Sequence, residues 1–337
     1  MIFDYSFYEP REGRFNFSGK IDSSASPYLC KAIFSQMWKN FSFGFSTLTI
    51  REGNAKTFTI GNCEVPELLG EDFAILIERD GVAICAKDDK NLAHAFFTLL
   101  DRIKVDEKCD GLLTIDCALI RDSAKIGVRM VHFCVFPETE LYELARFIRF
   151  AAALRLTHVI VEFWGMLKYD CMKELAWESG YSKELLRPII KEAKDLGIEL
   201  VPMFNHWGHA AGSRAKHGKH VVLDQNPALQ SYFSEDGWCW DIKKDKVKNL
   251  LSKIRGELFE LFPNSEYFHV GCDEAYGYDL TKEGSADFIT DYLNEVCESI
   301  TKRGKKMICW GDMFLYKDPA FDERNNYECN CPTKEIQ

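Results

Sequence analysis

The feature that most restricts the fold is a change of rhythm near residue 123. From there the chain alternates continuous apolar runs with amphipathic segments. The runs are GVRMVHF (127–133), HVIVEFW (158–164), IELVPMF (198–204), YFHVGC (267–272) and KMICW (306–310). Between them apolar residues recur at helical spacing: Leu141, Leu144, Ile148 and Ala152, then Leu185, Ile189, Ala193 and Leu196. The pattern continues with Val247, Leu250, Leu251, Ile254 and Leu258, then Ile289, Leu293, Val296 and Ile300. Strands without polar alternate positions are buried on both faces, so this pattern predicts a parallel sheet covered by helices. Gly197 and Gly304 stand where a left-handed residue ends a helix ahead of the next strand.

Such a sheet is either a barrel or an open doubly wound layer. No GxGxxG or GxxxxGK[ST] follows the first run, which removes the usual support for a nucleotide-binding open sheet. Polar and aromatic residues instead gather past one run after another: Trp164; Asn205, His206, Trp207 and His209; Asp273 and Glu274; Trp310 and Asp312. Chemistry at the carboxyl ends of several strands predicts a TIM (β/α)8-type barrel over residues 123–337. Five strand–helix steps are clear, with a sixth strand placed near 326–331, so the barrel is expected to be incomplete at its C-terminus. Truncation, or a partner subunit in an oligomer that closes the gap, would account for that. Residues 1–122 read as a small α+β accessory domain. Its strands are FSTLTI (45–50), TFTI (57–60), FAILIE (73–78) and VAICA (82–86), with a helix over 91–103.

A net charge of -10 and a pI near 5.4 argue against nucleic acid or an anionic membrane surface as a partner, since either favours a basic face. The start MIFDYSFYEPREGRF lacks the basic-then-apolar pattern of a secretory signal, and no apolar stretch is long enough to span a bilayer, so a cytoplasmic protein is expected. The 13 cysteines form no paired CxxC groups, which implies neither a disulfide framework nor a zinc ribbon. Cys134, Cys272 and Cys309 end apolar runs and read as small buried hydrophobes. No cofactor and no metal is called for.

The stretch FHVGCDEAYGYD (268–279) sets two carboxylates, Asp273 and Glu274, side by side where an apolar run ends. On an extended strand His269, Gly271 and Asp273 would share a face, and Glu274 would reach the same pocket only past the strand's end. Paired carboxylates at a barrel mouth suit glycoside hydrolysis, in which one group stays protonated to expel the leaving oxygen while the other stabilises positive charge. Proximity of like charges helps keep the acid protonated. A solvated Asp-Glu turn is the plain alternative.

HVGCDEA resembles the HxGGDE motif of glycoside hydrolase family 20, the β-N-acetylhexosaminidases, with cysteine for the second glycine. ELLRPIIKEAKDLGIELVPMFNHWGHA is similar to the family's third-strand region with its Gly-His-Ala turn, and WGDMF (310–314) to its fifth-strand tip. EDFAILIERDGVAICAKDDKNLAHAFFTLLDRI looks like the small domain that precedes the family's barrel, so the resemblance spans about residues 40–315. It implies Glu274 as general acid/base and Asp273 as the residue that orients the substrate's 2-acetamido group. That group's oxygen then attacks the anomeric carbon, a route outside the two-carboxylate scheme. It further implies a terminal β-linked N-acetylhexosamine on a glycan or glycoside as substrate, with Trp310 walling the acetamido pocket and His209 supporting the acid. Asp312 would bind a sugar hydroxyl or cap the next turn. His269 reads as a buried prop and Asn205 is assigned to the substrate site, while Trp164 and Trp207 offer flat apolar surface for sugar faces or pack in the core. The first strand, KIGVRMVHFC, departs from the family's arginine-bearing start, because Arg129 does not align with it.

Two other readings remain open. His206, His209, His269 and Asp273 could ligate the metal of a metal-dependent hydrolase, although no HExxH or HxH spacing is present. A non-catalytic carbohydrate-binding barrel would keep the pocket without turnover.

Overall fold

The computed structural model describes residues 5–16, 19–23, 45–50, 56–106, 112–210, 223, 226–275, 278 and 284–314. The sixth strand placed near 326–331 lies outside them. The chain divides into two compact units, one of Met1–Val131, Ala145–His158 and Lys191–Ile198, the other of His132–Leu144, Val159–Ile190 and Glu199–Gln337.

The first unit is built on an eight-stranded sheet. Its strands are β1 (Phe7–Asn16), β2 (Gly19–Ser23), β3 (Phe45–Ile50), β4 (Lys56–Gly61), β5 (Phe73–Glu78), β6 (Gly81–Ala86), β7 (Lys104–Asp106) and β8 (Leu112–Asp122). They lie in the order β1-β8-β5-β6-β4-β2-β3, with β7 on β8. The long β1 and β8 were not foreseen: β1 is exposed along most of its length and so lacks the apolar alternation by which a strand is recognised. Helix α1 (Asp89–Arg102) starts where the Asp88 carboxylate accepts from the Asn91 N–H at 2.7 Å, and it packs on β4, β5 and β6. At that contact the fully buried Phe58 and Phe96 rings meet edge to face, 4.4 Å between centroids.

The second sheet has five strands, β9 (Met130–Cys134), β10 (His158–Glu162), β11 (Glu199–Met203), β12 (Tyr267–His269) and β13 (Lys306–Ile308). Their spatial order is their chain order, and β12 runs parallel to both β11 and β13. There is thus no reversal of the kind that creates the binding crevice of a doubly wound sheet. Among the described residues the sheet is open, with β9 and β13 at its edges, so the closed eightfold barrel of the sequence reading is seen only as these five strands. Helices α2 (Leu141–Ala153), α3 (Lys183–Asp195), α4 (Asp245–Leu261) and α5 (Ser285–Thr301) occupy the predicted intervals. Their predicted apolar faces are buried at Leu144, Ile148, Ala193, Leu250, Ile254, Leu293 and Val296. Leu185 is an exception: it is exposed, and Leu186 is the buried neighbour, which rotates the inward face of α3 by one residue. Every strand of this sheet ends sooner than the apolar run suggested, or starts later, because apolar residues continue into the loops beyond β10, β11 and β12.

Removing the Phe96 ring takes away half of the aromatic contact that fixes α1 on its sheet. Phe96→Ala is expected to cost about 3–5 kcal/mol, read from urea denaturation. A loss below about 1 kcal/mol would show that the contact is not what holds the helix down.

Candidate active site

The two carboxylates lie on irregular backbone just past β12. That strand ends at His269, yet the following residues stay tied to both neighbours: His206 N–H donates to Val270 O at 2.8 Å, Val270 N–H to Ile308 O at 2.8 Å and Trp310 N–H to Gly271 O at 2.9 Å. Gly271, Cys272 and Glu274 have φ of 68°, 75° and 46°, so the strand alternation expected over 269–273 is broken. The consequence is convergence. His209 Nε2 lies 3.3 Å from Asp273 Oδ2 and 3.1 Å from Glu274 Oε2, with its ring buried. Among the described residues five non-glycine positions have positive φ, and four of them, Trp164, His209, Cys272 and Glu274, are in this neighbourhood. Backbone strain gathered at one place is a common mark of a functional site.

Two glycines permit the close approach. A Cβ at Gly271 would lie 1.7 Å from Asn205 Oδ1, and one at Gly208 would lie 1.9 Å from the Asp273 carbonyl oxygen. The Gly208 contact brings the turn after β11 against the backbone that carries the acids, and sets His209 within reach of both.

Burial pushes the Asp273 carboxyl up to about 7, and the nearby Glu162, Asp312 and Glu274 carboxylates add to that rise against its own backbone hydrogen bond. Asp273 is the more deeply enclosed of the two acids, with 26% of its side chain open against 32% for Glu274. Glu162 was not picked out from the sequence. It is 3% exposed, accepts a short hydrogen bond from Asn205 Nδ2, and lies 3.2 Å from His132 Nε2. The signal was there: a lone carboxylate closing a fully apolar strand is costly to bury without a purpose.

His269 is completely buried, and its Nδ1 accepts from the Gly271 N–H at 3.0 Å. Burial, helped by His132, holds its ring down at about 3, so the imidazole is neutral. Asp312 Oδ2 accepts from the Glu274 N–H at 3.0 Å, which pins the backbone of the acid pair. The Trp310 ring stands 4.6 Å from His269 and 5.8 Å from His132. Trp164 meets the His209 ring edge-on at 6.0 Å and stacks near Phe136. Trp207 is wholly buried between Tyr278 and Phe314, so it is a core residue and not a sugar platform. Trp238, which the sequence reading passed over, donates its indole N–H to the Glu274 carbonyl and packs 4.5 Å from His209. A small cavity is lined by Glu162, Trp164, Asn205, His209 and Trp240 among others, and His209 links it to the carboxylate pair.

The four residues named for a metal-dependent hydrolase are not gathered into one ligand set. His206 is fully buried with Nδ1 on the Phe204 carbonyl, and burial lowers its pKa well below the ordinary histidine value. His269 is engaged with Gly271. Among the described residues the side chains close enough to share an ion are His132, Cys134 and Glu162. Cys134 is therefore not the buried apolar filler that was expected, because its thiol donates to Glu162 Oε2 at 3.4 Å. Cys272 does fill that role: it is fully buried, and burial drives its thiol well above the ordinary range.

A parallel sheet with strands in chain order and polar residues gathered at its strand tips is the arrangement of part of an α/β barrel. Residues 162–329 match the family described as glycosyl hydrolase family 20, catalytic domain. Over that span the chain belongs to glycoside hydrolase family 20. A lacto-N-biosidase of Bifidobacterium bifidum is 21% identical over 283 residues, 77% of this chain and 24% of that protein. A β-hexosaminidase of Porphyromonas gingivalis is 24% identical over 148 residues, 40% of this chain and 19% of that protein. The chain thus spans about a quarter or less of the length of these curated relatives. The solved family 20 β-N-acetylhexosaminidase of Streptomyces coelicolor A3(2) superposes with a TM-score of 0.70 at 20% identity, covering 92% of this chain and 65% of that one. These likenesses establish the fold as that of a TIM-barrel catalytic domain.

A methyl group at position 208 would meet a backbone oxygen that cannot rotate away. Gly208→Ala is expected to destabilise the protein by about 1–3 kcal/mol. Gly256→Ala serves as the control, since nothing beyond its chain neighbours and its own helix backbone lies within 4 Å of its added Cβ and the residue is inside α4. It should instead stabilise by about 0.5–1 kcal/mol, and equal denaturation midpoints for the two variants would refute the close approach.

Proposed function

We propose that this chain is a glycosidase that releases terminal β-linked N-acetylhexosamine with the sugar's own acetamido oxygen as nucleophile. The observation that carries the reading is the placement of His209 between Asp273 and Glu274, which makes two sequence neighbours act at one point. Family membership and the hexosaminidase names among the relatives support the substrate class.

In this mechanism Glu274 gives its proton to the glycosidic oxygen as the bond to the anomeric carbon breaks. The acetamido oxygen attacks that carbon and forms an oxazolinium ring, while ionised Asp273 accepts the acetamido N–H and offsets the positive charge. Glu274, now ionised, takes a proton from water as the water opens the ring, so the β-configuration is retained. Two acids on opposite sides of the bond are unnecessary when the nucleophile comes from the substrate, and adjacent residues serve. Trp310 walls the acetamido group, Trp164 and Asn205 line the sugar's side of the cavity, and His269 supports Trp310 from below. Asp312 acts through the Glu274 backbone, and His209 holds the two carboxylates in register.

Hydrolysis of a chromogenic β-N-acetylglucosaminide, compared with the plain β-glucoside, tests the reading. Activity is expected on the acetamido sugar alone, and Glu274→Gln should lower it on the order of a hundredfold for a substrate that needs leaving-group protonation. Equal rates on the two sugars would exclude assistance by the substrate. Binding of N-acetylglucosamine without turnover would favour the non-catalytic barrel.

The role of Asp273 also sets a pH dependence. A carboxyl raised to about 7 accepts an amide N–H only once it has lost its proton. kcat/KM should therefore rise with pH through about 7 and be lost as pH falls below it. Asp273→Asn should lower the plateau and abolish this limb. A profile in which that variant keeps the same limb would assign the titration elsewhere.

A further inference from the structure

His132 and Cys134 on β9 and Glu162 at the end of β10 are given no step in the reaction proposed above, although Glu162 lines the cavity and adds to the rise of the Asp273 pKa. We propose that these three side chains bind a divalent cation of zinc's character. The inference rests on their own geometry and stands whether or not the glycosidase reading holds.

His132 and Cys134 are two residues apart on one strand and so project from the same face. β10 is the adjacent strand, and its last residue brings a carboxylate to that face. His132 Nε2 lies 3.2 Å from Glu162 Oε2, Cys134 Sγ lies 3.4 Å from the same oxygen, and Cys134 Sγ lies 3.5 Å from His132 Nε2. Tetrahedral zinc has bonds of about 2.3 Å to sulfur and about 2.0–2.2 Å to nitrogen or oxygen, which sets ligand-to-ligand edges of roughly 3.3–3.6 Å. The observed triangle matches one face of such a tetrahedron to within about 0.2 Å, and leaves the fourth vertex for water or another ligand.

The donor set selects the ion. One sulfur, one imidazole nitrogen and one carboxylate oxygen suit zinc and its softer neighbours rather than calcium or magnesium, which favour oxygen alone. Charge agrees, because a thiolate and a carboxylate together cancel the +2 of the ion, which makes burial of the group less costly. Glu162 carries an outer support as well: Asn205 Nδ2 holds its other oxygen, Oε1. An outer hydrogen bond of this kind orients a ligating carboxylate. His132 is part-exposed, with 25% of its side chain open, so the ion has a way in.

Binding exchanges protons for metal. The Cys134 thiol gives its proton to solvent and becomes a thiolate. Neutral His132 carries its proton on Nδ1 and offers Nε2. The net change is one proton released per ion bound.

The full chain is equilibrated with zinc, passed over a desalting column and assayed for bound metal by mass spectrometry. Stoichiometric zinc is expected in the wild type. Cys134→Ser and His132→Ala should each weaken it at least about tenfold, since even changes outside the ligand set cost about 10–100-fold. With cobalt in place of zinc, the wild type should show a thiolate-to-cobalt charge-transfer band in the near ultraviolet that Cys134→Ser removes. Zinc should raise the melting temperature of the wild type and leave that of the two variants unmoved, which also reports whether each variant has folded. A wild type that keeps no zinc, or zinc retained in full by both folded variants, would overturn the proposal and leave a hydrogen-bonded His–Cys–Glu triad.

Discussion

The arrangement depends on one close backbone approach. Gly208 lies against the Asp273 carbonyl at a separation that no side chain would allow, and this contact sets the distance from which His209 reaches both acids. Much else around it acts to hold that contact. Trp240 donates its indole N–H to the Asn205 carbonyl at 2.8 Å, and Tyr292 donates its hydroxyl to the His206 carbonyl at 3.1 Å, so the segment that leads into the turn is anchored on two sides. Trp238 and Asp312 hold Glu274 from its carbonyl and its N–H respectively. The acid is thus fixed by its backbone while its carboxylate remains about one-third exposed and open to a substrate. Fixed backbone with a reachable head group is the preorganisation that the proposed general-acid role would need.

The electrostatics follow from crowding. Glu162, Asp273, Glu274 and Asp312 bring four carboxylates into one region. Burial first, and then its three acidic neighbours, lift the pKa of Asp273 to about 7. The neighbouring imidazoles are not equivalent counterweights. His269 stays neutral because it is buried, while His209 and His132 touch carboxylates directly. In the reaction proposed above a developing oxazolinium would place positive charge beside Asp273, and the proposed divalent ion would place it beside Glu162.

The sequence was legible where burial speaks through periodicity. The apolar runs HVIVEFW and IELVPMF, and the helical spacing of Leu250, Leu251, Ile254 and Leu258, placed the corresponding strands and helix to within two residues or so. The exposed β1 could not be read in that way, since nothing in its pattern distinguishes it from a loop. At the site, Asp273, Glu274 and His209 were visible as chemistry next to strand ends. His132 and Trp238 were hidden, because each acquires its meaning only from neighbours distant in the chain, while Glu162 left a signal as a carboxylate at the end of a buried strand. Trp207 shows the opposite case: an aromatic residue beside functional ones in sequence points into the core in space.

Why the acids are adjacent at all is answered by where the strand stops. Had β12 continued to Glu274, strand geometry would send the Asp273 and Glu274 side chains to opposite faces, one of them into the packed layer beneath the helices. The left-handed residues Gly271, Cys272 and Glu274 break that alternation. Cys272 can take such a conformation only because its side chain is completely enclosed and its backbone neighbours are held on both sides, so packing offsets the local cost, about 1–3 kcal/mol for such a residue. A cysteine at this position gives up the conformational freedom of a glycine and supplies a small apolar group to the space behind the acids. The strained turn is what converts two consecutive letters of sequence into one converging pair, and the stability invested in Cys272 packing is what keeps the turn in place.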